Sequence, residues 1–386
     1  MIIKGVKARI IMDSRKNPAI EVILNTSNGI YRASAPSGAS TGKFEIRAYP
    51  KAGINVAVDY LNNLKKFKNY HVNDFNDFRK IEKFFNPSMG GNVIIAFEFA
   101  LLKSLAKGKI WKFFNPRPKQ LPLPVGNVVG GGAHLIPKNK LDIQEYLLIP
   151  HTATFKEAVK INNDLYRLIG KKLKTKRKTD EGAWAPENIS DLEAFDIIIS
   201  VMKDYSEKQG VDVHLGIDLA SSQLYNKRRY SYDNFSPSQK KKDFIKKDQI
   251  ALINDWINRY HLAYIEDPLE EQDFSGYKNL DHSALLVGDD LIVTDIRRLK
   301  KSFVNAVIIK PNQIGSLVKT KEIVDYCLKK NIVPIISHRS GETLDATISQ
   351  LAVAWKIPFI KCGINGKERE AKLKEILRIE KEIKRD

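Results

Sequence analysis

The sequence predicts an α/β barrel, of the modified TIM type with (β/α)8 connections, preceded by a smaller α+β domain. The chain has 386 residues, which suits two domains, one of them a barrel of about 250 residues. Strand patterns followed by helical patterns occupy the first third. Short apolar runs then alternate with amphipathic helical stretches. We therefore place an α+β domain at residues 1–120 and the barrel, with a C-terminal helix, at 121–386.

The N-terminal domain begins with three predicted strands. These segments alternate in hydrophobicity or are rich in β-branched residues, and they are residues 2–11, 19–25 and 29–34. Ser27-Asn28-Gly29 is a turn signal that joins the last two strands as a hairpin. Apolar residues at helical spacing then predict helices over 54–67 and 92–107, the second with Asn92 as its N-cap and Gly108 beyond its end.

The barrel is predicted from repeated strand and helix patterns. The strand patterns are short apolar runs at residues 123–129, 143–149, 213–219, 262–265, 285–287, 306–309, 332–336 and 359–360. The helical patterns are at residues 154–173, 190–207, 247–260, 316–330 and 343–355. Such alternation implies a parallel sheet, and the number of units favours closure into a barrel over an open doubly wound sheet. No Gly-x-Gly-x-x-Gly follows an early strand, which weakens a dinucleotide-binding version of that alternative.

Composition narrows the class of protein. The formal net charge is +19, from 64 Lys and Arg against 45 Asp and Glu. We interpret the basic runs at 171–178, at 240–247 and in the C-terminal segment as solvated surface, with nucleic acid as the less favoured explanation, because few aromatic residues interleave them. Two cysteines do not make a disulfide framework in a chain of this size. Without a long apolar stretch or a signal-peptide pattern, we expect a cytoplasmic protein that does not enter a membrane.

Charged side chains end the predicted barrel strands. In chain order, the residues at these positions are Glu145, Glu181, Asp218, Glu266, Asp289, Lys310, His338-Arg339-Ser340 and Lys361. In a barrel these are the carboxyl ends of strands, where active sites lie. Any one of them could as well be a helix N-cap or a solvated loop residue. Together they would cost many kcal/mol unless they neutralise one another or bind ions.

The acidic members of this set predict a metal site. Asp218, Glu266 and Asp289 come from successive units, and three crowded carboxylates require a cation. Hard oxygen ligands without Cys or His predict Mg²⁺ or Mn²⁺ rather than zinc.

The basic members predict the substrate. Across the predicted mouth, the cations are Lys310, Arg339 and Lys361. A site with metal on one side and these cations on the other suits a substrate that carries both carboxylate and phosphate. Partial burial and nearby positive charge are expected to lower the pKa of Lys310. It could then take a proton from the carbon next to the carboxylate, while the metal stabilises the resulting enediolate.

Short motifs in a fixed order extend the pattern over nearly the whole chain. They are Asp13-Ser14-Arg15-Lys16-Asn17-Pro18, Pro36-Ser37-Gly38-Ala39-Ser40-Thr41-Gly42, Gly130-Gly131-Gly132-Ala133-His134, Gln144-Glu145, Asp180-Glu181-Gly182, Gly216-Ile217-Asp218, Ile265-Glu266-Asp267-Pro268, Gly288-Asp289-Asp290-Leu291, the segment 310–317, the segment 337–343 and Ile360-Lys361-Cys362-Gly363. On these motifs the chain resembles the enolase family. Each motif alone is modest evidence, but their shared order and their positions at strand ends make the resemblance very specific.

The resemblance implies a reaction and a role for each site residue. The reaction is the Mg²⁺-dependent, reversible dehydration of 2-phosphoglycerate to phosphoenolpyruvate, with two Mg²⁺ ions per site. The implied ligands of the first ion are Asp218, Glu266 and Asp289, and the sequence leaves open whether Asp289 or Asp290 points inward. The implied catalytic residues are Lys310 as the base at C2, Glu181 as the acid with Glu145 beside it, and His338 and His134, which close around the substrate. The implied substrate-binding residues are Lys361 for the carboxylate, Arg339 and Ser340 for the phosphate, and also Glu145, His134 and Ser40. Ser40 lies in a loop that is mobile in the family, where it is also implied to coordinate the second ion.

The sequence departs from the family pattern at several positions. Lys16 replaces a usual Gly, Ala19 a common Thr, and Gly182-Ala183-Trp184 a Gly-Gly-Val pattern. The stretch after Gly42 is also shortened, in a region that helps form the subunit interface in relatives. We still expect a homodimer or larger homo-oligomer. Two alternatives compete with this interpretation. One is another lyase or a racemase of the same superfamily, and the other is a protein that keeps the fold but binds RNA or another polyanion.

Overall fold

An antiparallel sheet of three strands opens the chain. The structure is a computed structural model that describes residues 1–38, 42–134 and 140–385, without the side chains of Pro87 and His134. The strands are β1 (Ile3–Met12), β2 (Pro18–Thr26) and β3 (Gly29–Ser34). They pair in the order β1-β2-β3. Gly29 has a φ of 119°, a value that suits glycine, so the predicted hairpin turn is confirmed.

Four helices complete the N-terminal part of the chain. They are α1 (Ile54–Asn62), α2 (Phe78–Glu82), α3 (Gly91–Leu105) and α4 (Ile110–Phe114). The helix α3 is buried along most of its length, because its apolar residues continue around it rather than forming one stripe. The predicted N-cap was wrong: Gly90 caps α3, and Asn92 lies inside the first turn. The side chain of Asn92 instead donates to the carbonyl oxygen of Pro36, 2.9 Å away.

The barrel strands follow the N-terminal elements and close on themselves. The eight strands are β4 (Leu123–Gly130), β5 (Glu145–His151), β6 (Asp212–Asp218), β10 (Leu262–Glu266), β11 (Leu285–Gly288), β12 (Ala306–Ile309), β13 (Val333–Ser337) and β14 (Phe359–Lys361). Their order round the barrel is β10-β11-β12-β13-β14-β4-β5-β6, with β6 paired to β10. The predicted barrel is confirmed, and the predicted boundary at residue 120 falls in the connection between α4 and β4.

One barrel strand runs against the others. β5 pairs antiparallel with both β4 and β6, whereas the alternation of patterns predicted a parallel sheet throughout. The reason is that the described residues between β4 and β5 contain no α-helix, whereas two α-helices follow β5 in succession. Glu145 therefore begins its strand instead of ending it, yet it lies at the same rim as the carboxyl ends of the neighbouring strands.

Helices cover the outside of the barrel. They are α5 (Phe155–Leu173), α6 (Asp191–Gln209), α7 (Lys246–Tyr260), α8 (Ile296–Leu299), α9 (Pro311–Ile314), α10 (Leu317–Lys329), α11 (Thr347–Ala354) and α12 (Lys367–Ile383). The start of α6 carries a capping box, in which Ser190 and Glu193 satisfy each other's backbone N–H groups. The predicted helix at 343–355 starts late, at Thr347, because Asp345 accepts hydrogen bonds from the backbone and hydroxyl of Thr347 and holds a turn there.

A small antiparallel sheet outside the barrel was not predicted. Its strands are β7 (Tyr225–Asn226), β8 (Arg229–Tyr232) and β9 (Lys242–Phe244). These strands are only two to four residues long, so they carry almost no periodic signal. None of the helices in the described part of the chain is long and apolar enough to cross a membrane. Both cysteines, Cys327 and Cys362, are buried thiols, in agreement with the sequence.

A buried glutamate joins the N-terminal part of the chain to the barrel. Glu98 of α3 is fully buried, and its Oε2 accepts a hydrogen bond of 2.8 Å from the backbone N–H of Leu317, the first residue of α10. Burial, reinforced by the nearby carboxylate of Glu82, raises the pKa of Glu98 well above its ordinary value. The folded state therefore holds a proton on Glu98 that the unfolded chain releases.

We predict that Glu98→Gln reduces the loss of stability at alkaline pH. A raised folded-state pKa stabilises the protein below the unfolded pKa, and that contribution disappears as pH rises toward the folded pKa. Glutamine keeps the size and the acceptor but cannot ionise. The difference in free energy of unfolding between about pH 5 and about pH 8, measured with urea, should shrink in Glu98→Gln and not in the exposed control Glu207→Gln. Equal pH dependence in Glu98→Gln and the wild type would contradict a buried protonated carboxyl.

Candidate active site

Three neighbouring strands bring carboxylates to one level of the barrel mouth. Glu145 of β5 pairs with Asp218 of β6, and Asp218 pairs with Glu266 of β10. Residues directly opposite on paired strands point to the same face. All three side chains are buried. The register of the barrel thus forces three acidic groups together in a place where solvent does not screen their repulsion.

Lys361, the last residue of β14, lies among these carboxylates. Its Nζ is 2.7 Å from Glu145 Oε2, 2.9 Å from Asp218 Oδ2 and 2.7 Å from Glu266 Oε2. Burial by itself lowers the pKa of Lys361, but the carboxylates outweigh burial and hold that pKa well above its ordinary value. Burial and the Asp218 carboxylate raise the pKa of Glu266 well above its usual range. The ammonium group is therefore the counterion that makes this acidic cluster tolerable.

A second lysine is paired with the third predicted metal ligand. Lys310, directly after β12, forms an ion pair with Asp289, directly after β11. Gln313 donates a hydrogen bond of 2.9 Å to the other oxygen of Asp289. Burial lowers the pKa of Lys310, but the carboxylates of Asp289 and Glu266 outweigh it, so its pKa is raised. The lowered pKa was expected beside carboxylates that hold a metal, whereas here Asp289 is paired with Lys310 itself.

Asp267 orients the loop that carries Asp289 and Asp290. Its two carboxylate oxygens accept hydrogen bonds of 3.0 Å from the backbone N–H of Asp289 and 2.6 Å from that of Asp290. Both aspartates line the pocket at the mouth. Burial and the charge of Asp289 raise the pKa of Asp290 to about 7, whereas Asp289 keeps a lowered pKa because Lys310 overcomes the effect of burial. Asp289 is thus the aspartate that stays ionised beside the catalytic lysine candidate.

The carboxylates at the mouth fit a hard divalent cation. Among the described residues, two sets offer three ligand atoms within 4.8 Å of one another: Glu145, Glu181 and His338, and Asp267, Asp289 and Asp290. The predicted set of Asp218, Glu266 and Asp289 is not one of them, and these three residues are instead paired with the ammonium groups of Lys361 and Lys310. Glu266 Oε1 is buried and has no hydrogen-bond partner in the described structure. Hard divalent cations bind clustered oxygen ligands, and these carboxylates supply such a cluster, with Glu266 Oε1 free of other hydrogen bonds among the described residues.

A second carboxyl pair lies across the pocket. Asn127 Nδ2 is 2.9 Å from Glu145 Oε1 and 3.4 Å from Glu181 Oε2, so one amide lies between both acids. His338 Nε2 is 3.4 Å from Glu181 Oε2. Burial lowers the pKa of His338, which keeps the ring neutral at neutral pH. Burial raises the pKa of Glu145 to about 8, although Lys361 opposes it. A carboxyl that keeps its proton near neutral pH is suited to general acid catalysis.

Glu181 reaches this position without a strand. The sequence predicted that it ends an apolar run, but residues 175–190 form irregular structure between α5 and α6. Thr179 holds the turn, since its hydroxyl oxygen accepts hydrogen bonds from the backbone N–H of Glu181 and of Ala183. A β carbon on Gly182 would come within 2.3 Å of the Asn365 carbonyl oxygen, so glycine is needed for this close approach.

Arg339 is held in place by the N-terminal segment. Its guanidinium contacts both oxygens of Glu45 at 3.0 Å and Asn312 Oδ1 at 3.1 Å. Ser340 lines the same pocket, and its carbonyl oxygen accepts a hydrogen bond of 2.6 Å from Arg369. A carboxylate bound to the arginine shows that this corner of the pocket accepts an oxyanion.

The base of the Gly-rich loop is fixed to the barrel. Ser37 and Gly341 exchange backbone hydrogen bonds of 2.9 and 2.8 Å. A β carbon on Gly341 would lie 2.7 Å from the Ser37 carbonyl oxygen, so this approach also requires glycine. Asn92 and Asn312 both donate to the Pro36 carbonyl oxygen. Two predicted site residues lie outside the described structure: Ser40, and His134 as far as its side chain is concerned.

The structure thus brings together all the other predicted site residues in one pocket or directly beneath it. The pocket is lined by Gly38, Glu45, Gln144, Glu145, Glu181, Asp218, Ala220, Asp267, Asp289, Asp290, Lys310, Ser337, His338, Arg339, Ser340 and Lys361. Glu266 lies below, bound to Lys361. A larger cleft at the opposite end of the barrel, beside Arg117 and Glu380, contains none of the predicted site residues.

Several residues that shape the site were missed from the sequence. Asn127 carried a visible signal, since it is a polar residue inside an otherwise apolar strand pattern. Gln144 and Gln313 stand beside predicted residues, and each donates to one of the predicted metal ligands. Glu45 had no signal that could connect it with Arg339, because the contact joins residues far apart in the chain.

The chain matches known protein families over nearly its whole length. Residues 3–115 match the family model described as "Enolase, N-terminal domain", and residues 118–386 match "Enolase, C-terminal TIM barrel domain". A curated protein named "Enolase" from Methanosphaera stadtmanae is 38% identical over 411 residues, covering 99% of this chain and 97% of that protein. Proteins of the same name from Methanothermobacter thermautotrophicus and Archaeoglobus fulgidus are each 36% identical, covering 99% and 98% of this chain and 97% of either protein.

We predict that Lys361→Met destabilises the protein and that Mg²⁺ reverses part of the loss. Removing the ammonium group leaves buried carboxylates without their counterion, which costs about 3–5 kcal/mol. A divalent cation bound by the same oxygens would replace it. Urea unfolding should show a larger gain in stability on addition of MgCl₂ for Lys361→Met than for the wild type.

Lys372→Met is the matched control for this experiment. Lys372 is also a buried lysine, paired with Glu342 at 2.5 Å, but its partner is not one of the predicted metal ligands. It should lose stability without recovering it in Mg²⁺. Equal gains in Mg²⁺ for both variants would show that Lys361 does not neutralise a metal site.

Proposed function

Because the chain belongs to the enolase family, we propose a role for each residue of the barrel mouth in the enolase reaction. The protein is a hydro-lyase that interconverts 2-phosphoglycerate and phosphoenolpyruvate, a step of glycolysis and gluconeogenesis. One observation carries the assignment of roles. Lys310 and a pair of carboxyl groups lie in the same pocket as the acidic cluster. The pocket also contains the guanidinium group of Arg339, which is paired with the carboxylate of Glu45.

The family requires a divalent metal, and the acidic clusters at the mouth could hold one. We propose Mg²⁺ as the ion, with Mn²⁺ as a substitute, and two ions per site. Asp218, Glu266 and Asp289 would hold the first ion, and Ser40 would help to hold the second. Asp289 is preferred to Asp290 because it remains ionised and contacts Lys310. When bound, the ions offset the negative charge that develops on the substrate carboxylate as the C2 proton leaves.

Lys310 is proposed as the base that removes the proton from C2. Its Nζ lies partly buried at the mouth and is paired with Asp289, an ion pair that keeps the ammonium group protonated. It can act as a base only when the charge of Asp289 is engaged elsewhere, since the ion pair is what raises its pKa. If Asp289 held a cation, its charge would be engaged in that way, and Lys310 could then give up its proton and act as the base.

Lys361 and Arg339 are proposed to orient the substrate by its two anionic ends. Lys361, already a partner of carboxylates, would bind the substrate carboxylate. Arg339 and Ser340 would bind the phosphate at the corner where Glu45 now contacts the guanidinium. Charged groups fixed at both ends hold C2 and C3 of a three-carbon acid in one orientation between them.

Glu181 is proposed as the acid that protonates the departing C3 hydroxyl. Hydroxide is a poor leaving group, so the step requires a proton donor on the side of the pocket away from Lys310. Glu145 shares Asn127 with Glu181 and has a pKa of about 8, so it can keep a proton available beside it. His338, bonded to Glu181, and His134 would close around the substrate.

The partners of the protein are proposed in the same way. The substrate pair is 2-phosphoglycerate and phosphoenolpyruvate, and the protein is proposed to work in the cytoplasm as a homodimer or larger homo-oligomer. Nucleic acid is not an expected partner, although the net charge of +19 would favour polyanions.

We predict that Lys310→Ala abolishes measurable turnover while the fold persists. The variant lacks the base, which is worth about 10²–10⁴-fold in rate. The assay follows phosphoenolpyruvate formed from 2-phosphoglycerate in the presence of Mg²⁺ by its ultraviolet absorbance. The control Lys319→Ala removes an exposed lysine nine residues further along and should be as active as the wild type.

Two results would count against this assignment. Near-normal activity in Lys310→Ala would rule out Lys310 as the base. A wild-type protein that is inactive on 2-phosphoglycerate but acts on a sugar acid would instead favour a different member of the superfamily.

A further inference from the structure

A buried tyrosine hydroxyl lies beneath the acidic cluster and has no role in the reaction as described so far. Tyr264 of β10 is completely buried in the barrel interior, two residues before Glu266. Residues two apart on a strand point to the same face, so both side chains enter the barrel. The hydroxyl of Tyr264 donates a hydrogen bond to Oε2 of Glu266.

The barrel is built to admit this ring at this level. Tyr264 pairs with Gly216 on the neighbouring strand β6. A β carbon on Gly216 would lie 2.7 Å from the Tyr264 β carbon and 3.1 Å from its ring. A side chain at residue 216 would therefore displace the tyrosine. The rest of the surrounding core is aliphatic, from Val125 and Leu147 to Ile335.

The two oxygens of Glu266 are used differently. Oε2 accepts from Tyr264 and lies 2.7 Å from Lys361 Nζ. Oε1 is buried and has no hydrogen-bond partner in the described part of the chain. A buried carboxylate oxygen without a partner is costly, so its presence indicates that a ligand is to be bound there.

The tyrosine differs from the lysine in one respect. In the proposed reaction Lys361 binds the substrate carboxylate, so its ammonium group has to bind both Glu266 and the substrate. Tyr264 lies below the mouth and is absent from the pocket lining, and its hydroxyl donates to the Glu266 carboxylate. It is therefore the donor that can hold Oε2 throughout the reaction.

We propose that Tyr264 is a positioning residue for the metal, whose hydroxyl fixes Oε2 of Glu266 so that Glu266 ligates the divalent cation through Oε1. The proposal rests on the proposed function in that it takes Glu266 as a metal ligand. Hydrogen-bonded partners of metal ligands commonly set the orientation of the ligand, and losing one costs about 10–100-fold in metal affinity. A phenylalanine would fill the same space, so packing alone does not explain a tyrosine at this position. What tyrosine adds is a hydroxyl that can bind Glu266.

Tyr264→Phe tests the proposal through metal binding rather than turnover. The ring still packs against Gly216, and Lys361 still contacts Oε2, so the variant should fold, as checked by thermal unfolding without metal. Titration with Mn²⁺, followed by the electron paramagnetic resonance signal of the free ion, should give a Kd raised about 10–100-fold. At saturating metal, kcat should change much less than the Kd does, because Tyr264 does not touch the substrate.

Tyr232→Phe is the matched control. Its hydroxyl is also buried and hydrogen-bonded, to Gln249 at 3.2 Å, but it lies in the small sheet outside the barrel. Its Mn²⁺ Kd should equal that of the wild type. A folded Tyr264→Phe protein with an unchanged Mn²⁺ Kd would overturn the proposal, and so would an equal loss of affinity in Tyr232→Phe.

A second measurement uses the unmodified protein. Metal binding should perturb the ultraviolet absorption of a tyrosine hydrogen-bonded to a ligand carboxylate, so Mg²⁺ should produce a tyrosine difference band. The band should persist in Tyr232→Phe, and its absence from the wild type would overturn the proposal even if Tyr264→Phe failed to fold. The proposed function is tested separately by turnover of 2-phosphoglycerate, so an active wild type with no Tyr264 effect rejects only this inference.

Discussion

Neutralisation of crowded carboxylates is the constraint on which the rest of the site depends. The pairing of β5, β6 and β10 places Glu145, Asp218 and Glu266 at one level of a closed barrel, where they cannot turn to solvent. In the described structure Lys361 supplies the opposite charge, as Lys310 does for Asp289. A divalent cation held by the carboxylates would neutralise them in place of the lysines. The ammonium groups would then be available to the substrate.

The fold serves this constraint through a few specific features. The reversal of β5 brings Glu145 to the mouth from the start of its strand, opposite Gly130 on β4. The side-chain amide of Asn127, also on β4, then lies between both proposed acid–base carboxyls. The N-terminal part of the chain contributes as well. Glu45 contacts Arg339, and Asn92 helps to hold Pro36 at the base of the Gly-rich loop. The pocket is therefore completed by two parts of the chain, and its chemistry depends on how the N-terminal segment packs on the barrel.

Much of this arrangement could be predicted from the sequence, and the exceptions have physical causes. The barrel and most strand bounds followed from apolar runs, and the site residues followed from charges at the ends of those runs. The antiparallel β5 was missed because periodicity does not encode strand direction. Glu181 was taken to end an apolar run, whereas Thr179 holds an irregular turn there. The ion pair of Lys310 with Asp289 was missed because it joins residues 21 positions apart, which the sequence does not reveal.

The most direct test of the proposed metal site is a crystal structure of the protein grown with Mn²⁺, whose anomalous scattering locates the ion. We expect one ion ligated at the same time by Asp218, Glu266 and Asp289. The Nζ of Lys310 should no longer be paired with Asp289 and should be directed into the pocket. An ion bound at another place, with the three carboxylates still paired to Lys361 and Lys310, would contradict it.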